Sequence, residues 1–487
     1  MTQPVNESLL DDRLAALEAA RSWSPRVVSK LESHIRSAAD ADLFRINPFT
    51  FAGEKNLSEA ETLDLFLHSA ALGLFEMNWL LLCPYCSGVV ESFQALKNVH
   101  NHYHCYVCQA GIEANLDEFI AVAFTVDPSV REIKFHHPDQ LTAQDYLFEY
   151  RWITDGRLPD GTPFIKAQES LTKEVSYLPP GETIELTLEV DEGSVLGVSH
   201  EGGAAFLYAV EGPRAPVPQH LDIVYGEKVR RYEPGKVAPG VMTFAVKNVT
   251  RERGSFLVAA LPPGFAADHA PLDFVPFLTG KRLLTTQTFR DLFRSEMIRS
   301  SEGLGVKDIT LLFTDLKGST SLYDRIGDLN AFALVQQHFS RLQAVAARHN
   351  GAIIKTIGDA VMATFLNPAD AVRAALEMRE EIAMFDRGRS GRDLVLKIGV
   401  HNGAAIAVTL NDRLDYFGQT VNIAARVQSL ADADDIFVSE DVFEADGVRA
   451  ALADLPVERR IAKLRGLDED VPVFRVLPGN SRRGDAA

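Results

Sequence analysis

The four cysteines of the chain fall into two C-x-x-C knuckles, Cys83 with Cys86 and Cys105 with Cys108, separated by eighteen residues. Each knuckle lets two thiolates reach one ion, and two knuckles complete a tetrahedral zinc site of the ribbon type. C-x-x-C pairs also serve dithiol redox chemistry, but in a reducing compartment the doubled pattern points first to structural zinc. Four thiolates leave no open coordination position, so such an ion would staple a lobe and not act on a substrate. The segment between the knuckles, SGVVESFQALKNVHNHYH, carries His100, His102 and His104 but no basic cluster. Packing or plain structure is therefore expected of it before nucleic-acid contact.

A second set of chemically able residues lies in the last third. Asp315 ends the apolar run ITLLFTD, and Asp359 sits in KTIGDAVMATF at the turn of a β-hairpin that can bring it beside Asp315. Carboxylates held together repel, so a divalent cation is their natural partner. Mg²⁺ takes one or two carboxylates plus phosphate oxygens, and a pair of such ions can activate an attacking oxygen and neutralise phosphates. Leu316, Lys317, Gly318, Ser319 and Thr320 then offer consecutive backbone N–H groups that end at a helix N-terminus, an arrangement that favours phosphate. Taken alone, a turn carboxylate with Ser319 as helix cap explains the same stretch equally well. In GQTVNIAARVQSL, Asn422 and Arg426 lie four apart and share a helix face. An amide and a permanently charged guanidinium there can orient a ribose and a phosphoryl group, although a lone helix arginine is usually only solvated.

The elements that must position these residues follow from periodicity. Residues 8–38 read as helix. SEAETLDLFLHSAALG reads as a second helix, opened by a capping box of Ser58 and Glu61 and stopped near Gly73. A further short helix is expected to lead into the first knuckle. From about 135 to 278, Pro and Gly punctuate short alternating runs such as ETIELTLEV, where Ile184, Leu186, Leu188 and Val190 share a face. This predicts a β-sandwich. Phe289, Leu292, Phe293 and Met297 form the stripe of a connector helix within 279–306. Strands are then expected at 309–315, 352–357, 361–366, 395–409, 436–439 and within 459–476, with helices at 319–349, 368–385 and 420–431. The fold class predicted is thus multidomain α+β: a helical and zinc-ribbon lobe (1–134), a β-rich middle domain (135–278), the connector, an α+β domain (307–476) and a flexible tail (477–487).

At 487 residues the chain suits about three domains. With 46% apolar and 24% charged residues it has the balance of a globular protein. A formal charge of −18 argues against nonspecific binding to nucleic acid or anionic membrane. No run approaches the roughly 20 apolar residues of a membrane span. The opening MTQPVNESLLDDRLAALEAA lacks a basic n-region and a continuous apolar core, so a cytoplasmic protein is expected.

LLFTDLKGST, GAIIKTIGDAVMATF, LKIGVHNGAAIAV and DYFGQTVNIAARV, in this order, resemble the catalytic domain of class III adenylate and guanylate cyclases. The resemblance covers about residues 307–476. It implies a ferredoxin-like βαββαβ fold and a homodimer with two active sites, each built from both chains. By position it implies that Asp315 and Asp359 hold two Mg²⁺ or Mn²⁺ ions, with the Leu316 carbonyl joining one. The loop 316–320 would cradle the triphosphate, Asn422 orient the ribose, and Arg426 stabilise charge on the α-phosphate. Base choice in the family rests on two positions, here Lys355 and Asp415. Lysine can donate to adenine N1 and aspartate can accept from the N6 amino group, so ATP is the implied substrate and cyclic AMP the product; without the resemblance Lys355 is only a strand residue. A guanylate or dual-specificity cyclase, or a silent nucleotide-binding regulator, are the alternatives. Arg465 stands where the family has a triphosphate-binding lysine, and the arm TLNDRL is short. The preceding two thirds resemble an uncharacterised region found ahead of bacterial cyclase domains, which implies a sensory role, by position only, for a ligand or protein partner that the sequence does not name.

Overall fold

The computed structural model describes residues 4–264, 270–299, 303–387, 394–464 and 470–478. The chain forms two compact units. One comprises residues 1–94, 100–114 and 119–278; the other comprises 95–99, 115–118 and 279 onward. Among the described residues no helix is long and apolar enough to cross a membrane.

In the first unit, helices α1 (Glu7–Ala20), α2 (Val27–Ser37), α3 (Pro48–Lys55) and α4 (Glu59–Ala71) precede β1 (Phe75–Leu82). The helix expected over 8–38 is two helices, because Ser24-Pro25-Arg26 breaks it and Arg26 takes a left-handed φ of 69°. Ser58 does cap α4, but its side chain makes no capping bond; Glu61 accepts instead from the Ser24 backbone N–H at 2.7 Å. The short helix expected before Cys83 is β1. It is the central strand between β2 (Val89–Phe93) and β5 (Ile120–Val126); Phe75, Met77 and Trp79 alternate with the half-buried Glu76 and Asn78, and only its end, WLLL, is apolar in succession. Short apolar runs of that kind carry no period to tell strand from helix. The hairpin β3 (His102–Cys105) and β4 (Ala110–Glu113) carries the second knuckle.

Two short helices, α5 (Ala143–Asp145) and α6 (Phe164–Leu171), flank the two-residue strand β6 (Gly156–Arg157). Strands β7 (Thr172–Leu178), β8 (Thr183–Val190), β9 (Ser194–Val198), β10 (Ala205–Val210), β11 (Gln219–Tyr225), β12 (Glu233–Val237), β13 (Gly240–Asn248) and β14 (Gly254–Leu261) follow; β15 (Asp273–Phe274) returns to β6. They form a five-stranded sheet, β12-β10-β9-β14-β7, and a three-stranded sheet, β11-β13-β8. Leu186, Leu188 and Val190 point into the shared core with Phe206, Phe244 and Phe256, as the alternation in ETIELTLEV requires.

The second unit opens with α7 (Gly280–Leu284) and α8 (Gln287–Leu292) in place of one connector helix, and because α8 ends at Leu292, Phe293 and Met297 of the expected stripe lie beyond it. The break falls at Thr285 and Thr286, whose hydroxyls donate back to the carbonyls of Lys281 and Arg282, a local competition that Thr offers the helix ladder. Next come β16 (Leu304–Leu316), α9 (Ser319–Ile326), α10 (Asp328–Arg348), β17 (Gly351–Ile357), β18 (Ala360–Phe365), α11 (Pro368–Arg387), β19 (Leu396–Leu410), β20 (Arg413–Phe417), α12 (Gln419–Ser429), β21 (Ile436–Ser439), α13 (Glu440–Phe443), α14 (Val448–Ala451), β22 (Val457–Ala462) and β23 (Val471–Val476). The sheet order is β17-β18-β16-β19-β21-β23-β22. Its first four strands with α10 and α11 make the βαββαβ arrangement. β16 starts five residues earlier than the expected 309, pairing Leu304–Val306 with β19 across an irregularity before Ile309. The helix expected at 319–349 is divided at Gly327, φ 79°. Leu312, Val361, Phe365, Leu342, Val345, Val372 and Met378 share the core between sheet and helices.

Candidate active site

Three neighbouring strands bring carboxylates and a cation to one end of the sheet. Asp315 is the penultimate residue of β16, and in the ladder it faces Lys397 of β19, whose ammonium forms an ion pair with it. On its other side Thr314 pairs with Val361 of β18, one residue past the hairpin turn that holds Asp359. That turn has two central residues, Gly358 and Asp359, with Gly358 at φ 64°, a position where glycine avoids the Cβ penalty. Asp359 Oδ2 is buried and has no hydrogen-bond partner among the described residues. A buried anionic oxygen without a donor is costly, and a divalent cation answers that demand. The residues present thus fit a metal site: oxygen donors and an orphaned carboxylate atom at one sheet end.

Lys317 Nζ pairs with Asp432 Oδ1 at 2.5 Å. Gly318, φ 76°, is the cap residue of α9. Ser319 and Thr320 belong to the first turn of α9. Arg465 lies outside the described residues.

Lys355, on β17, donates to Asp415 Oδ2 at 2.5 Å. Asp415 is only 7% exposed, and its other oxygen accepts from the Tyr416 backbone N–H at 2.8 Å. One carboxylate oxygen is thus fixed by the backbone while the other meets the ammonium. Asp415 reaches this place because β20 folds back on β19, pairing Asp415 with Val408. The turn between them, Asn411-Asp412, has both φ values positive, 50° and 57°, as a two-residue type I′ hairpin demands. The arm TLNDRL is therefore a tight hairpin.

Asn422 and Arg426 sit on the outer face of α12, Asn422 exposed and Arg426 half-buried, while Ala424, Val427 and Gln428 face inward. α12 lies directly on β19: a Cβ on Gly399 would come within 2.2 Å of the Gln428 backbone nitrogen. Among the described residues neither Asn422 nor Arg426 has a side-chain partner, and no bond joins them to Asp315 or Asp359.

Two residues near the site escaped the sequence reading. Lys397 carries a signal only once the β16–β19 register is known. Arg290 of α8 is half-buried; it donates to the carbonyls of Leu284 at 2.8 Å and Leu414 at 3.0 Å, and lies over the Tyr416 ring. Burial draws its guanidinium below the ordinary arginine range. It ties α8 to β20 beside Asp415, and a lone arginine in a short helix gives no sequence cue for that.

The four cysteine sulfurs of the first unit lie within 4.8 Å of one another, with Cys83, Cys86 and Cys105 buried and Cys108 partly so. Cys86 Sγ and Cys105 Sγ are 3.8 Å apart, the edge expected of a tetrahedron with Zn–S bonds of about 2.3 Å. The donor set fits zinc.

Residues 10–291, over half of the chain, match the family described as a family of unknown function (DUF5939). The chain belongs to this family. Beyond the DUF5939 region, residues 304–452 match the adenylate and guanylate cyclase catalytic domain; this part is a class III nucleotidyl cyclase domain. Among curated relatives, the pH-sensitive adenylate cyclase MT1302 of Mycobacterium tuberculosis is 32% identical over 194 residues, 37% of this chain and 43% of the relative. Adenylate cyclase 1 of Rhizobium meliloti is 30% identical over 138 residues, 26% of this chain and 21% of the relative. The matches therefore span less than half the length of either. Among solved structures, the adenylyl cyclase CyaB of P. aeruginosa aligns with a TM-score of 0.33 and 20% identity, covering 37% of this chain and 98% of that one.

Proposed function

We propose that the protein is an adenylate cyclase that converts ATP to 3′,5′-cyclic AMP and pyrophosphate. The observation that carries this reading is the Lys355–Asp415 pair, an ammonium donor beside a carboxylate acceptor. Adenine presents the complementary edge, an acceptor at N1 and a donor at N6, whereas guanine presents a donor at N1 and an acceptor at O6. Substrate would replace the mutual bond with two bonds to the base.

Asp315, Asp359 and the Leu316 carbonyl are the residues to hold two divalent ions. Such ions, when bound, favour ionisation of the ribose 3′-hydroxyl and offset phosphate charge. Asn422 orients the ribose so that its 3′-oxygen lies in line with the α-phosphorus, a gain of position. Arg426 donates to the α-phosphate oxygens as their charge grows. Lys317, the backbone at Gly318, Ser319 and Thr320, and Arg465 hold the β- and γ-phosphates. The new bond joins O3′ to the α-phosphorus, the bond to the β-phosphate oxygen breaks, pyrophosphate leaves, and the 3′-hydroxyl proton goes to solvent.

The active site is shared by two copies of the chain, with Asp315 and Asp359 from one and Lys355, Asp415, Asn422 and Arg426 from the other. Supporting this, no hydrogen bond or ion pair among the described residues joins the two groups within one chain. The β19–β20 hairpin and the adjoining β17–β18 turn also expose Phe417, Ile406, Leu410 and Ile357, an apolar patch of the sort that marks an interface. The four cysteines hold structural zinc, and the DUF5939 region, ahead of the cyclase domain, is its regulatory part. Purified protein with Mn²⁺ and an equimolar mixture of ATP and GTP tests the reading: cyclic AMP is the expected main product, and cyclic GMP in equal or greater amount would overturn it.

A further inference from the structure

We propose that the first unit binds a small zwitterion with an apolar body, an α-amino acid of the phenylalanine or leucine class, in a cavity beside α3. The cavity has a volume of about 270 Å³, near the lower end for small-molecule sites. Its floor is the β1–β5 ladder, where Leu80 faces Ala121 and Ala123 follows on the same face of β5. Alanines at those places leave room that larger strand residues would fill. Phe148 and Trp152, both buried, form part of an aromatic wall.

Two oppositely charged side chains line this apolar space without pairing. The Arg45 guanidinium lies over the rings of Phe44 and Tyr150, 4.6 and 4.9 Å from their centres, and Nη1 donates to the Tyr150 carbonyl at 2.5 Å. Among the described residues no carboxylate reaches ion-pair distance of it. Arg45 is half-buried, and loss of solvent around it draws its pKa down to about 10. Asp155 accepts from Asn47 Nδ2 at 3.3 Å, and among the described residues no cation lies within ion-pair distance. Burial raises its pKa to about 6. Asp42, Glu54 and Glu149 also border the cavity, but they are exposed to solvent, and Glu149 pairs with Lys134 at 2.6 Å.

Holding a cation and an anion apart in one apolar cavity costs both of them solvation. A molecule with a carboxylate and an ammonium on one carbon offsets both losses at once, and its side chain fills the alanine- and aromatic-lined remainder. A monocarboxylate would meet Arg45 but face Asp155 with like charge. A simple amine would do the reverse.

The test uses the full chain and four probes: L-phenylalanine, L-leucine, 3-phenylpropionate and 2-phenylethylamine, read by thermal shift and calorimetry. At least one amino acid is expected to raise Tm and to bind about tenfold or more tightly than either half-molecule. Arg45→Met and Asp155→Asn should each remove that margin, and Arg45→Lys should retain part of it. No binding by any probe, or equal binding by the amine or the carboxylate alone, overturns the proposal. Should circular dichroism show Arg45→Met unfolded, Asp155→Asn and the two half-molecules still decide it.

Discussion

Exchanging the polarity of the base-reading pair should exchange the nucleotide. In the wild-type protein GTP would set the Lys355 ammonium against N1–H and the Asp415 carboxylate against O6, two contacts of the wrong sign. An unmet or mispaired buried polar group costs about 1–3 kcal/mol. The Lys355 side chain is 34% exposed and belongs near the low end, while the 8% exposed Asp415 side chain belongs near the high end. Together they give about 3–4 kcal/mol, or roughly 10²–10³ in kcat/KM favouring ATP. Lys355→Glu alone puts a carboxylate beside Asp415 and should impair turnover of both nucleotides. Lys355→Glu with Asp415→Asn restores a compatible pair: the new glutamate accepts from guanine N1–H, and the new amide donates to O6. The double variant should prefer GTP. Competition in one tube, with cyclic AMP and cyclic GMP counted by mass spectrometry, reads the kcat/KM ratio directly. A wild-type ratio near one, or a double variant that keeps the wild-type preference, would refute the reasoning.

Three further outcomes follow from other parts of the molecule. Lys397→Met frees Asp315 of its partly exposed ion-pair partner, worth about 0.5–1 kcal/mol, so the Mn²⁺ concentration for half-maximal activity should fall about threefold; an unchanged or higher requirement contradicts the competition. Elemental analysis should find zinc bound to the purified chain, and Cys86→Ser should lose the metal and lower Tm by about 5–10 °C; retention of zinc with unaltered Tm would remove the tetrathiolate site. His338 of α10 is fully buried, neither ring nitrogen has a hydrogen-bond partner among the described residues, and its pKa is lowered to about 4. The unfolded chain then binds the proton more readily than the folded one between pH 6.5 and 4, so stability must fall as pH falls through that window, by up to about 3 kcal/mol. Denaturant titration of His338→Leu beside wild type should show a shallower acid slope, and parallel slopes would contradict it.

The fold of the second unit was largely legible because its strands and helices alternate with clear periods and its turns carry Gly327, Gly358 and Asn411-Asp412 where backbone sign demands them. The failures share a cause. FEMNWLLL reads as helical because its end, WLLL, carries no alternation, and the connector reads as one helix because Phe289, Leu292, Phe293 and Met297 keep helical spacing although α8 stops at Leu292. For the site, residue type and spacing made Asp315, Asp359, Asn422 and Arg426 candidates; the contact between Lys355 and Asp415 rested on resemblance until the β20 hairpin gave it a geometry. Lys397 and Arg290 were invisible because their significance lies in cross-strand register and packing, which no local window contains. The cavity between Arg45 and Asp155, 110 residues apart, is legible only in three dimensions.

Complementation between two inactive chains tests the shared active site most directly. Asp315→Ala and Arg426→Ala should each be nearly inactive alone. In their heterodimer one site carries both lesions and the other carries none. A one-to-one mixture allowed to exchange subunits should therefore recover about a quarter of wild-type activity, as two-fold symmetry dictates. No recovery in a mixture shown to contain heterodimers, or full activity of Asp315→Ala on its own, would contradict a cyclase whose catalytic groups come from two chains.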